Sequence, residues 1–257
     1  MDRRLVTIVA LVAVVTGLMV GLYWYNLMLS SSLLPPVEEE PPQILSHTSF
    51  VEGDSSRFLM IEGEVRNNLK TSVDVNVTAT LYDAKGNLLG NVTRRAMLKT
   101  LRSGQKSPFI LVWPLNSSTV PTCKLSLSYS RVYEEPQAVL EVSYHANGTD
   151  ENGYYIITGK VWNKGDGNAI IVSVICTYYD SAGNVTRICL ASVPSVNAGS
   201  EAFFELSSAP YRMSPAGYGL AVVASRYERP FIQNYALLIV LILVLAIFVI
   251  YLKRRGW

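Results

Sequence analysis

The chain has 257 residues with 22 Lys+Arg against 20 Asp+Glu, a formal net charge of +2 and two histidines. Several of the cations lie in the terminal flanks, so no basic stripe is left between them to neutralise a phosphate backbone, which excludes nucleic acid as a partner. Charged residues make up 16%, low against the roughly 25% of average soluble chains, and this points to membrane-embedded sequence beside domains rich in neutral polar residues.

Residues 1–4 carry Arg3 and Arg4. From Leu5 to Tyr25 there is no charge in 21 positions, enough for a helix rising ~1.5 Å per residue to cross a hydrocarbon core of ~30 Å. A transmembrane helix is therefore expected over 5–25, with residues 1–4 on the cytoplasmic side. A cleaved signal peptide is the rival reading. The length of the run, the lack of a small-x-small cleavage site and the aromatic belt Tyr23, Trp24 and Tyr25 favour a retained anchor. Ala13, Gly17 and Gly21 recur every four residues, a small-xxx-small face that lets two membrane helices approach. Residues 26–43 read as a linker. Two Pro-Pro pairs and three successive glutamates favour extended, solvated backbone.

Two copies of one pattern follow, expected as β-domains over 44–136 and 137–230. In the first, Gly63, Val65 and Asn67 precede an alternating run of Val73, Val75, Val77, Ala79 and Leu81, which ends in Tyr82, Asp83 and Gly86. In the second, Gly159, Val161 and Asn163 precede Ile170, Val172, Val174, Cys176 and Tyr178, ending in Tyr179, Asp180 and Gly183. Period-2 alternation marks a half-buried strand. Asp first and Gly last suit a type I turn, because Asp accepts backbone N–H groups and Gly tolerates a positive φ. Gly104 before Phe109 matches Gly199 before Phe204. About six strands per copy, separated by turn signals, predict two antiparallel sandwiches.

These residues resemble the FxLYD domain, a small immunoglobulin-like β-domain of bacterial and archaeal envelope proteins. The resemblance covers both copies, roughly 90 residues each. Where that family has Phe-x-Leu-Tyr-Asp, the first copy reads Ala79, Thr80, Leu81, Tyr82, Asp83 and the second Cys176, Thr177, Tyr178, Tyr179, Asp180. The resemblance implies fold, and no catalytic residue comes with it.

From Tyr235 to Leu252 a second run of 18 residues has no charge, and Lys253, Arg254 and Arg255 follow it. A second transmembrane helix over 235–252 with a basic cytoplasmic tail at 253–257 places residues 26–233 outside the cell. Two sandwiches end to end reach ~70 Å, and an extended Asn26 to Gln43 reaches ~55 Å. With both ends anchored, the modules are expected to lie folded back or tilted.

Chemistry is sparse. His47 and His145 have no cysteine or carboxylate at ligand spacing, and no nucleophile, phosphate-loop or zinc motif occurs. The acidic stretch from Asn147 to Gly153 lacks calcium-loop spacing and reads as a hairpin connection. Cys176 and Cys189 flank a turn almost symmetrically. They face each other if the hairpin is regular, as a disulfide or as two buried thiols, and point apart if Gly183 makes a bulge. Cys123 has no partner in its own copy. Five Asn-x-Ser/Thr sequons, at Asn76, Asn91, Asn116, Asn147 and Asn184, all fall on the expected outside. Glycosylation at some of them favours an archaeal surface. Trp113 and Trp162 are expected in the core.

The sequence thus predicts a two-pass, non-enzymatic membrane protein without cofactors or metal, whose two β-sandwiches bind or brace other envelope or membrane proteins. Homo-oligomers stay open. The alternative is a ligand- or carbohydrate-binding ectodomain that signals through a partner subunit.

Overall fold

The computed structural model describes residues 16–25, 39–54, 56–116, 119–132, 140–212, 214–228, 240 and 242–244. Residues 16–25, 240 and 242–244 are helical. Among the described residues no helix is long and apolar enough to cross a membrane. The rest of the two expected spans, Ala13, most of the linker and both expected cytoplasmic ends lie outside the described residues. The chain divides into residues 1–40 and 41–257, and the second unit holds all twelve strands.

The strands fall into two sets of six. The first, module 1, holds β1 (Gln43–Glu52), β2 (Phe58–Arg66), β3 (Ser72–Tyr82), β4 (Leu88–Arg95), β5 (Lys106–Pro114) and β6 (Thr122–Val132). The second, module 2, holds β7 (Leu140–Thr149), β8 (Tyr155–Asn163), β9 (Asn168–Tyr179), β10 (Val185–Val196), β11 (Glu201–Ser207) and β12 (Gly217–Glu228). Each set forms two antiparallel three-stranded sheets of matching order: β1-β2-β5 and β4-β3-β6, then β7-β8-β11 and β10-β9-β12. Val73, Val75, Val77, Ala79 and Leu81 of β3 face Leu59, Ile61, Val65, Phe109 and Leu111 across the first core. Val172, Val174, Cys176 and Tyr178 face Ile157, Val161, Phe204 and Leu206 across the second.

The repeated motif has a local cause in each copy. A Cβ on Gly63 would lie 2.5 Å from the Phe109 ring and 2.7 Å from the Ser46 carbonyl oxygen. One on Gly159 would lie 2.7 Å from the Phe204 ring and 2.4 Å from the Tyr144 carbonyl oxygen. The glycine is the floor on which the later phenylalanine lies. Asn67 and Asn163 are fully buried. Asn67 donates to the Thr71 and Leu101 carbonyls at 2.8 and 3.0 Å and accepts from Leu69 N–H at 3.0 Å. Asn163 does the same to Gly167 and Val196 at 2.7 and 2.9 Å, and accepts from Gly165 N–H at 3.0 Å. Each amide ties its β2–β3 or β8–β9 loop to a more distant segment and satisfies backbone groups that burial cuts off from water.

The acidic turns are built alike. Asp83 Oδ1 accepts from Lys85 and Asn87 N–H, both at 2.8 Å, and Gly86 takes φ +84°. Asp180 Oδ1 accepts from Ala182 and Asn184 N–H at 2.9 and 2.8 Å, with Gly183 at φ +80°. Hydrogen bonds from Asn87 and Asn184 hold both carboxyls below the usual range. The β7–β8 hairpin uses the same device: Asp150 Oδ1 accepts from Asn152 and Tyr154 N–H at 2.9 and 2.7 Å.

The two modules pack sheet on sheet. Ile175, Val185 and Ile188, from the outer side of β10-β9-β12, are buried with Met97, Ile110, Tyr179, Ala221 and Val223. Ile110 stands on the outer side of β1-β2-β5, so this apolar seam joins an outer face of each module.

Candidate functional site

Polar contacts frame the seam. Glu62 and Glu64 occupy the outer phase of β2, the side away from their own core, and are 2% and 5% exposed. Glu62 Oε2 accepts from Ile188 N–H at 2.7 Å. Burial pushes its carboxyl up to about 7, against the pull of the Ile188 N–H and the Arg187 guanidinium. Arg187 stands 3.4 Å from Glu52 and stacks on Phe50 and Tyr211 at 3.9 and 3.7 Å. The Tyr211 hydroxyl donates to Glu52. Tyr179 donates to Glu64 Oε1 at 2.7 Å, and Lys106 sits 3.1 Å from Oε2. Ser46 Oγ accepts from Val185 N–H at 2.9 Å. Beside these contacts lies a cleft of about 790 Å³ lined by Glu64, Lys106, His145, Tyr179 and Tyr218.

Among the described residues two sheet faces remain uncovered, and strand register identifies them as repeat counterparts of the two faces in the seam. On β4-β3-β6 the register places Asn91, Thr80 and Lys124 in one row, Thr93, Thr78 and Ser126 in the next, and Arg95, Asn76 and Ser128 in the third. The same rows on β10-β9-β12 hold Ile188, Thr177, Gly219; Leu190, Ile175, Ala221; and Ser192, Ser173, Val223. One face is polar and open, and its apolar counterpart is packed.

On β7-β8-β11 the rows are Tyr144, Lys160, Phe203 and then Glu141, Trp162, Glu201. Their counterparts in module 1 are Ser46, Glu64, Pro108 and Gln43, Arg66, Lys106, which belong to the face carrying module 2. Tyr144 and Phe203 are each 63% exposed and Trp162 is 37% exposed. Lys164 Nζ lies 4.8 Å over the Trp162 ring and pairs with Glu141, while Lys160 pairs with Glu201 at 3.0 Å. The cations are thus tied to neighbouring acids, Lys164 lies over Trp162, and the Tyr144 and Phe203 rings stay open. Trp162, expected in the core, is corrected to this outer face by its register beside Glu141. Trp113 packs against the first core.

The sequons occupy different settings. Asn76 and Asn91 are exposed on one sheet face. Asn147 donates to the Tyr218 hydroxyl at 3.0 Å, which His145 Nδ1 also meets at 2.9 Å. Asn184 donates to Asp180 at 3.2 Å. Asn116 is exposed, and the rest of its sequon lies outside the described residues. Gly17 and Gly21 lie in the helical segment with open space around both. His47 is exposed. Among the described residues no group of three His, Cys, Asp or Glu is placed to hold a metal ion.

Cys176 and Cys189 are directly opposed across β9 and β10, and the register shift between Val185 and Arg187 brings them into line. All three cysteines are free thiols. Burial pushes Cys176 up to about 12 and Cys189 up to about 11, and raises Cys123 as well. Thiolates are the reactive form. Iodoacetamide at pH 7.5 is therefore expected to leave Cys176 and Cys189 unmodified in the folded protein and to modify both in denaturant, as read by peptide mass spectrometry. Rapid native labelling would contradict the packing described.

No family model matches the chain, so the FxLYD resemblance rests on the motif residues alone. No curated protein matches it either. Among solved structures it is similar to a β-glucuronidase from glycoside hydrolase family 2, with TM-score 0.23 and 12% identity over 62% of this chain and 13% of that one. It is also similar to the exo-chitosanase CsxA of Amycolatopsis orientalis, with TM-score 0.23 and 13% identity over 69% of this chain and 26% of that one. The chain thus corresponds to a small part of each of those enzymes, and likeness at this level carries no argument about activity.

Proposed function

We propose that the chain is a membrane-anchored, outward-facing structural protein without enzymatic activity, in which two immunoglobulin-like, FxLYD-like sandwiches form one bracket that holds a protein partner on the β7-β8-β11 face. The observation that carries this reading is the exposed set Tyr144, Trp162 and Phe203 on the counterpart of a face that in module 1 is covered. Aromatic side chains dominate interface hot spots, and truncating one costs about 2 kcal/mol or more, over tenfold in affinity. Anchoring at both ends is supported by the two uncharged runs and their basic outer flanks, and by the exposure of Leu18, Met19, Val20 and Leu22 in the described helical part of the first.

The test is purification of the full chain from its own membranes in mild detergent, beside the variant Tyr144→Ala/Trp162→Ala/Phe203→Ala. A stoichiometric protein partner is expected with the parent and lost at least a hundredfold with the variant, at unchanged melting temperature. A parent that elutes alone, or a variant that keeps its partner, removes this reading. A second reading, capture of a small polar or carbohydrate ligand, is favoured by the inter-module cleft lined by Glu64, Lys106, His145 and Tyr218. Glycan-array binding that is lost in Lys106→Ala, with the aromatic variant unaffected, would select it.

A further inference from the structure

We propose that the outer face of β4-β3-β6 is a paired N-glycosylation site, with Asn76 and Asn91 both carrying glycans that close this end of the sheet stack. The inference rests on the outward placement proposed above and goes beyond the partner face.

Both sequons, Asn76-Val77-Thr78 and Asn91-Val92-Thr93, lie on one face of one strand pair. Valine points to the core in each, as Val77 and Val92 both pack on it, which turns the asparagine and threonine outward together. Thr78 and Thr93 are directly opposed, and their hydroxyls share a hydrogen bond at 2.8 Å. The asparagines are exposed on either side of that pair. Four residues along the strand and one strand across put the two attachment points about 14 Å apart, room for two separate sugar trees. Neither amide nitrogen donates a hydrogen bond within the described residues, whereas Asn147 and Asn184 each donate one.

The repeat comparison gives the modification a physical role. The position of Asn91 is taken in module 2 by Ile188, which is buried in the seam and holds Glu62 through its N–H. The same surface is therefore an interface in one copy and a polar, sequon-bearing face in the other. A glycan at the Ile188-equivalent position bars a second chain from stacking there as module 1 stacks on the β10-β9-β12 face of module 2. Seams between unlike faces otherwise close into rings or, where the rotation does not close, continue as open arrays. In the transfer step, the Asn Nδ2 attacks the anomeric carbon of a polyprenyl-phosphate-linked oligosaccharide. A C–N bond forms, the C–O bond to phosphate breaks, the lipid phosphate leaves with the electron pair, and one amide proton passes to a base of the transferase.

The test is glycopeptide mass spectrometry on the full chain purified from its own membranes, together with cleavage of intact cells by externally added protease. Asn76 and Asn91 are expected to be occupied at least tenfold more than Asn147 and Asn184. The variant Asn76→Gln/Asn91→Gln is expected to lose both adducts, keep its melting temperature and gain concentration-dependent self-association. Bare Asn76 and Asn91 peptides from a chain that the protease cleaves from outside overturn the inference while leaving the outward placement standing. Resistance to the external protease overturns both.

Discussion

Asn163→Ala is expected to destabilise the β8–β9 region severely, costing on the order of 3–5 kcal/mol. The amide makes three hydrogen bonds from a fully buried position. Alanine removes every one and leaves the buried Gly167 and Val196 carbonyls and the half-buried Gly165 N–H without these partners, at ~1–3 kcal/mol for each buried group that finds no substitute. Against a total stability of ~5–15 kcal/mol for a domain, that loss lowers the melting temperature by more than about 10 °C. Asn163→Asp is expected to be worse, because a carboxylate cannot donate to either carbonyl. Asn67→Ala should act in the same direction in module 1, through Thr71 and Leu69, while the Leu101 carbonyl keeps the Val73 N–H at 2.9 Å. Calorimetry of the full chain decides the matter, and a shift of less than a few degrees in both alanine variants would show that water replaces the amide.

The second large effect is a pH dependence of the seam centred on Glu62. Its carboxyl is raised from 4.5 to about 7 in the packed state. Between those values the packed state keeps a proton that the unfolded chain has released. Stability from this group is therefore fully present below 4.5, falls as pH rises toward 7, and is level above it. At about 1.4 kcal/mol per pH unit the fall amounts to at most ~3 kcal/mol. The groups facing Glu62 set this balance: Arg187 and the Ile188 N–H favour the carboxylate, Glu52 disfavours it, and burial outweighs them. Glu62→Gln keeps an acceptor for the Ile188 N–H and removes the charge. Thermal unfolding from pH 5 to 8.5 should slope downward in the parent and run nearly flat in the variant, which should be the more stable of the two at pH 8. An equal slope in both would assign the effect elsewhere.

Much of the strand pattern is legible in the sequence, because a half-buried strand must alternate and β3 does so without a break. The turns at Asp83 and Asp180 are legible for the same kind of reason, since only an acceptor side chain and a positive-φ glycine close them. The role of Asn67 and Asn163 is not, because it depends on Leu101 and Val196, which are 34 and 33 positions away. The seam left one signal. Ile175 puts a large apolar group on the phase that Thr78 occupies in the first copy, and a strand apolar on both phases is buried on both faces. Reading only Val172, Val174 and Cys176 hides that difference. Glu62 and Glu64 look like solvated outer residues in isolation, and only the packing of the second module makes them interior. Trp162 was misplaced because a tryptophan in a strand suggests core, whereas its register beside Glu141 and Glu201 sets it outside.

The unlike faces of the seam also bear on how the chain reaches its fold. Synthesis delivers β1 to β6 before β9 and β10, and domains commonly fold as they emerge. The β1-β2-β5 face, with Glu62, Glu64 and Ile110 in place, is then waiting when the apolar surface of Ile175, Ile188 and Val223 forms. Module 1 serves as a built-in chaperone for module 2, shielding within one molecule a patch that would otherwise seek the same patch on its neighbours.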